Sequence, residues 1–245
     1  MTKFNLKNIS VILIFSSYLL SCEDDSKNNE LIPEIKFNTK FNYGSVTDIE
    51  GNQYKTIQIG EQIWMAENLR TSTYNDGTPI QLIAKNSEWM NTEQTEEGAY
   101  CWYDNNINTY SNVYGALYNF YTVETNKLCP VGWHVPSKNE WEILYNYLDS
   151  SEISSKLKES DTSHWISPNE GATNESGFTA LPGGYRYGYF DGHFGNLGNH
   201  AAWWSDSSHT RTNAWSFQLN NHPEFIGFWV ADIKENGFSV RCLKD

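Results

Sequence analysis

The tetrad Ser137-Lys138-Asn139-Glu140 constrains the fold of this chain more than any other local signal. A serine followed three residues later by glutamate forms a capping box, in which each side chain satisfies a free amide at a helix start. Trp141, Leu144, Tyr145 and Leu148 follow at helical spacing, so the helix that begins here turns one face to a core. A second short helix is predicted from Ser151 to Lys158. Most of the remaining chain carries the pattern of strands and turns. Gly51-Asn52 separates strand-like runs, residues 54–59 alternate polar and apolar, and Gly60-Glu61 turns the chain into Gln62-Ile63-Trp64-Met65. Further strands are predicted at 177–181, 214–219 and 237–243. Residues 68–79 carry loop chemistry, the polar stretch 85–98 is expected to be irregular, and the aromatic run 114–121 fits neither period.

Ahead of this body the chain starts basic (Lys3, Lys7) and runs apolar from Ile9 to Leu20. The run is shorter than the ~20 residues that span a bilayer and has the layout of a secretory signal. Its ending, Leu19-Leu20-Ser21-Cys22, resembles a bacterial lipobox, which implies removal of residues 1–21 and lipidation of Cys22. Residues 22–40 are then a flexible tether and 41–245 the folded domain. Glu23-Asp24-Asp25 resembles the surface-export signal of lipoproteins in Bacteroidetes-type bacteria, the alternative being a solvated tether. The expected location is the outer membrane or cell surface, held there by acyl chains that contribute ~0.8 kcal/mol per buried methylene.

Charge and cysteine count narrow the partners. A net charge of −13 argues against nucleic acid, which needs a basic footprint, and against anionic lipid headgroups beyond the anchor. Besides Cys22 there are Cys101, Cys129 and Cys242, with no C-x-x-C pair to suggest zinc or redox chemistry. In an oxidising compartment two of them pair. Cys129 precedes the helix signal and Cys242 lies in the last strand-like run, which favours a Cys129–Cys242 disulfide and leaves Cys101 as a buried thiol in an aromatic setting.

The block Leu128-Cys129-Pro130-Val131-Gly132-Trp133-His134-Val135-Pro136-Ser137-Lys138-Asn139-Glu140-Trp141 resembles the signature of the Fibrobacter succinogenes major paralogous domain. Gln62-Ile63-Trp64-Met65-Ala66-Glu67-Asn68-Leu69, Tyr114-Gly115-Ala116-Leu117-Tyr118-Asn119, Gly171-Ala172-Thr173-Asn174-Glu175-Ser176-Gly177-Phe178, Leu181-Pro182-Gly183-Gly184-Tyr185-Arg186 and Gly237-Phe238-Ser239-Val240-Arg241-Cys242 match it in order. That resemblance implies an exported domain without an established activity. Residues 135–142 and the terminal Gly-Phe-x-x-Arg pattern are also similar to formylglycine-generating sulfatase-modifying proteins. This second resemblance implies an α+β, C-type-lectin-like fold: two helices, small twisted antiparallel sheets, long irregular loops and termini close together.

Those oxidases rely on a cysteine pair near the C-terminus, and only Cys242 lies there, so the chain departs from their chemistry. No Gly-x-Ser-x-Gly elbow is present, nothing in the sequence pairs two carboxylates, and the histidines lack metal-ligand spacing. The expectation is therefore a non-catalytic recognition domain for glycan or a surface protein, the alternatives being an envelope structural protein or an enzyme of unrecognised type. Tyr185, Tyr187, Tyr189, Phe190, Trp203 and Trp204 are the candidate ligand-stacking residues, because flat aromatic faces in glycine-rich loops suit sugar rings. No cofactor is expected except calcium as a candidate cation, for which Asp191, Asn196, Asn199 and Asp206 offer oxygen ligands where lectins of that fold place their long loop. Replacement Cys22→Ala is expected to free the protein from the membrane fraction on washing, read by immunoblot; retention in the pellet would remove the anchor.

Overall fold

Alternating polar and apolar residues fold the start of the domain into an antiparallel meander, β1 (Gly44–Thr47), β2 (Gln53–Ile59) and β3 (Gln62–Met65). Gly51 at φ +85° and Gly60 at φ +61° make the two reversals, as the sequence predicts. The computed structural model describes residues 1, 32–149, 151–222 and 228–245; Cys22, the signal segment and the start of the tether lie outside them. Next come β4 (Gln81–Leu82), helices α1 (Asn86–Met90) and α2 (Thr92–Thr95), β5 (Ala99–Cys101), α3 (Ile107–Tyr114), β6 (Leu117–Tyr118) and α4 (Phe120–Glu124). Then follow β7 (Trp133–His134), α5 (Lys138–Tyr147), α6 (Ile153–Leu157), β8 (Gly183–Arg186), β9 (Phe194–Leu197), β10 (His200–Ser208), β11 (Asn213–Asn220), β12 (Phe228–Ile233) and β13 (Leu243–Lys244). The result is a mixed helix-and-sheet fold of small, curled, mostly antiparallel sheets, ordered β1-β2-β3-β13-β7, β10-β11-β12, β4-β5-β6 and β8-β9.

The capping box forms as expected. Ser137 Oγ accepts from the Glu140 amide at 3.2 Å, and Glu140 Oε2 accepts from the Ser137 amide at 2.8 Å. The apolar face of α5 carries Trp141 onto Phe217, with ring centroids 4.9 Å apart and nearly parallel planes. Helix α6 falls within the predicted 151–158 segment. The helices α1 and α2 replace the irregular stretch expected at 85–98, and tertiary contacts explain them. Trp89 is fully buried and donates from Nε1 to the Glu235 carbonyl at 2.8 Å, while Arg186 donates to the carbonyls of Ile83 (2.6 Å) and Ala84 (2.8 Å) just ahead of α1.

Two predicted strands prove to be something else, for a shared reason. Residues 177–181 form a turn with Thr179 at φ +56°, because the Phe178 and Thr179 carbonyls accept from the guanidinium of Arg241 instead of a strand. Residues 237–243 thread between the sheets, bridging Arg186, Tyr118 and Trp203 before joining β13 beside β3. Arg241 is fully buried, stacks 4.2 Å from the Phe178 ring centroid, and donates from Nε to Asn68 Oδ1 at 2.9 Å. Asn68 Oδ1 also accepts from Trp203 Nε1 at 2.9 Å, and its Nδ2 donates to the Tyr114 carbonyl at 2.9 Å. Cys242, one residue on, bonds to Cys129. Closing a loop of 113 residues contributes up to ~4–5 kcal/mol in the chain-entropy account.

The β10-β11-β12 sheet divides the interior. Period-two alternation sends Ala201 and Trp203 into a core with Trp141, Phe178 and Phe217, and Ala202 and Trp204 into a second core with Tyr118, Phe120 and Phe238. The part of the tether that is described does not hang free: residues 33–41 dock on the body. Lys36 donates its amide to Glu159 Oε1 at 2.7 Å, His164 Nε2 donates to the Pro33 carbonyl at 2.9 Å, and Phe37 packs on Tyr43. Glu159 and His164, both fully buried, meet at 2.6 Å. Burial is the largest single influence and opposes the charged imidazole, but the hydrogen bond and charge of Glu159, the Pro33 carbonyl and the charge of Asp161 together outweigh it and raise the His164 pKa. The ordered body thus starts ahead of residue 41.

Replacing Arg241 with lysine keeps the charge and loses the fork that reaches three acceptors. Arg241→Lys is expected to lower stability by ~2–5 kcal/mol in chemical denaturation, since each orphaned buried acceptor costs ~1–3 kcal/mol. An unchanged midpoint would show that the guanidinium does not organise the core.

Candidate functional site

Strand β8 separates two jobs by alternation. Arg186 points inward, fully buried between the Trp89 and Phe194 rings at 4.6 and 4.8 Å, and holds the Gly192 carbonyl at 3.0 Å. Tyr185 and Tyr187 therefore turn to the opposite side, where their rings meet at 4.9 Å and 81° and their hydroxyls at 2.9 Å. Tyr189 follows at 6.0 Å and 83° from Tyr187. Gly188 lets this strap approach the chain after β12: a Cβ there would lie 2.4 Å from the Glu235 Cβ. The Gly188 amide donates to Asn236 Oδ1 at 2.9 Å, which fixes the approach.

The three tyrosines form one wall of a pocket of about 380 Å³. Asn213, Gln218, Asp232 and Asn236 supply its polar lining, and Phe238 also lines it. The volume falls at the lower end of the range for small-molecule sites. Asp232 Oδ2 accepts from Ser216 Oγ at 2.5 Å and Gln218 Nε2 at 2.7 Å. The second N–H of Gln218 donates to Ser216 Oγ at 2.8 Å, and its Oε1 accepts from His200 Nε2 at 2.9 Å. That bond assigns the proton of a neutral His200 to Nε2. Burial pushes the His200 pKa down and the Asp232 carboxyl up, the latter against hydrogen bonds from Ser216, Gln218 and Asn236. At the rim, Tyr189 and Phe190 are 46% and 75% exposed with ring centroids 4.2 Å apart. Phe190 also sits at φ +60°, a conformation unfavourable for a bulky residue.

The sequence-predicted residues divide sharply. Tyr185, Tyr187 and Tyr189 line the pocket and Phe190 stands beside it. Trp203 and Trp204 do not: both are fully buried, on opposite faces of β10, each face covered by a core. Their indole N–H groups are taken by Asn68 and by the Tyr118 carbonyl, so neither presents a face to a ligand. The four calcium candidates are not brought together. Asp191 pairs with His193 on the exposed turn after Phe190, and Asn196 donates to the Tyr185 hydroxyl at 2.5 Å. The Asn199 amide donates to the Asn196 carbonyl, and Asp206 binds Pro136 and Ser207 six residues along β10 from His200, roughly 20 Å at strand rise. Among the described residues no group of three His, Cys, Asp or Glu side chains gathers as a metal site.

Ser216, Gln218 and Asp232 went unnoticed in the sequence. The alternation Ala214-Trp215-Ser216-Phe217-Gln218-Leu219 could have placed Ser216 and Gln218 on one face; the partnership with Asp232 depends on the β11–β12 register, Ala214 opposite Asp232. Cys101 is buried and free, with burial pushing its thiol up to about 12 beside Arg186.

The family model of the Fibrobacter succinogenes major domain matches residues 57–244, from β2 to the last strand. The chain belongs to this family. No curated protein and no solved structure matches it. The family match takes in both the disulfide of this Fibrobacter succinogenes major domain and every described residue of its pocket.

The burial of the paired tryptophans sets an expectation. Trp204→Ala should cost ~3–5 kcal/mol of stability in thermal or urea unfolding, as for other large-to-small changes in cores. A fully stable variant would return Trp204 to the surface candidates.

Proposed function

We propose that this Fibrobacter succinogenes major domain is a lipid-anchored, cell-surface recognition domain without catalytic activity, whose tyrosine-walled pocket binds a glycan. The observation that carries the reading is the gathering of aromatic rings and polar groups around one pocket: Tyr185, Tyr187 and Tyr189 with Asn213, Gln218, Asp232 and Asn236. Tyrosine faces take the C–H side of a sugar ring, and amide and carboxylate groups take its hydroxyls. The Ser216 hydroxyl donates to Asp232 while His200 bonds Gln218, so these groups hold one another in place as hydrogen-bonding partners. The lipobox-like Leu19-Leu20-Ser21-Cys22 and the acidic run after it support display on the outer membrane, and the Cys129–Cys242 bond is consistent with export. A C-type-lectin-like arrangement is the finer reading of the fold, supported by β13 pairing with β3, so that the first and last strands share a sheet, and by long excursions between small sheets.

A second reading, adhesion to a protein, is favoured by the exposed Tyr189–Phe190 pair. Glycan-array or polysaccharide pull-down binding distinguishes the two. Tyr187→Ala is expected to lower glycan affinity at least ~10-fold, the scale of a lost aromatic contact, with an unchanged unfolding midpoint. Undiminished binding by that variant, or binding of no glycan by the folded protein, would defeat the glycan reading.

A further inference from the structure

The pocket has a charge character that a site for neutral sugars does not need. Among the described residues that line it, Asp232 is the one carboxylate and none is a lysine or arginine. Its described hydrogen-bond donors are all neutral: Ser216, Gln218 and Asn236. A half-buried carboxylate without a cation is unfavourable, and the usual remedy is an ion pair or a ligand of opposite charge. The two oxygens are also unequally served. Oδ2 takes two short bonds, while among the described residues Oδ1 has only a 3.4 Å contact with Asn236 Nδ2. A carboxylate offers about four acceptor positions, so Oδ1 retains room for a strong donor.

The aromatic walls add to this. Tyr185 and Tyr187 stand at 81°, Tyr187 and Tyr189 at 83°, and Tyr185 and Phe238 at 87°, with centroids 4.9, 6.0 and 5.9 Å apart. In such T-shaped contacts the positive edge of one ring meets the negative face of the next, and a ring face left open to the pocket attracts an ammonium group by cation–π interaction. The hydroxyl pair is fixed as well, since Tyr185 accepts from Asn196 at 2.5 Å. Arg186 pins the base of the strap from the other side, so the strap is held in place before any ligand arrives.

We propose that the pocket receives the protonated amine of an amino sugar, the ammonium facing Asp232 Oδ1 beside the rings of Tyr185, Tyr187 and Tyr189. The exposed Tyr189 and Phe190 then lie where neighbouring sugar units of the same glycan leave the pocket. The assignment rests on the glycan reading above and sharpens it to glycans that carry free amines.

The test is titration calorimetry of the detergent-solubilised full chain with a glucosamine oligomer, its fully N-acetylated counterpart and a glucose oligomer of equal length, at a pH where the amine is protonated. The glucosamine oligomer is expected to bind at least ~10-fold more tightly than either neutral oligomer, the scale of a desolvated cation–π contact. Asp232→Asn preserves the shape and should erase that preference, so that the variant binds the glucosamine oligomer no more tightly than it binds the neutral oligomers. Should that variant fail to fold, Tyr187→Leu is expected to reduce the same preference. Equal affinity for the amine and acetylated oligomers overturns the ammonium assignment and leaves glycan binding standing. A preference that survives Asp232→Asn overturns the site. Tighter binding of a short lysine peptide than of the glucosamine oligomer overturns the sugar, and binding of no oligosaccharide overturns both this inference and the glycan reading.

Discussion

The buried guanidinium of Arg241 is the point on which the fold turns. No carboxylate bonds it among the described residues; its charge is dispersed over the carbonyls of Phe178 and Thr179 and the amide oxygen of Asn68. Burial draws its pKa down to about 9, because the surroundings resist the charge. Asn68 has no spare capacity either, since it also joins Trp203, Tyr114 and Ser239. One side-chain pair thereby ties the loop after β3, the end of α3, the 178–179 turn, β10 and the C-terminal thread. Removing any member strands the others in a low-dielectric interior, where an unpaired polar group is costly.

A second buried arginine does for the pocket what Arg241 does for the core. Arg186 occupies the inward side of β8 and collects oxygens from Ile83, Ala84, Asn86 and Gly192. Because a strand alternates, fixing Arg186 inward fixes Tyr185 and Tyr187 outward. The same residue explains why the polar stretch after β4 is ordered: α1 starts where its carbonyls are claimed. Positioning of the aromatic wall and folding of a low-propensity segment are thus one interaction seen from two sides. The wall faces β11 and β12, whose polar residues point away from the tryptophan-rich core because Phe217 and Leu219 take the other face.

The local parts of this architecture were legible where a residue's role depends on neighbours in sequence. The capping box at Ser137 and Glu140, the β1–β3 reversals and the apolar face of α5 follow from spacing and hydrogen-bonding chemistry that act within a few residues. The Cys129–Cys242 bond was legible from placement between helix start and final strand. Trp203 and Trp204 were misjudged because glycine-rich surroundings suggested a surface loop. A strand covered on both sides buries consecutive residues, and nothing in those two positions announces a second covering layer.

The sequence alone therefore determined the opening strand meander, where the principal helix starts, which cysteines bond and which family the chain joins. Tertiary structure decided which aromatics reach a ligand and which polar groups meet them. Asp232 comes within hydrogen-bonding distance of Ser216 and Gln218 through strand register, and the tyrosine strap is set against them by Gly188 and Arg186. Those relations span elements far apart in the chain, and distance in sequence carries no record of them until the backbone has folded.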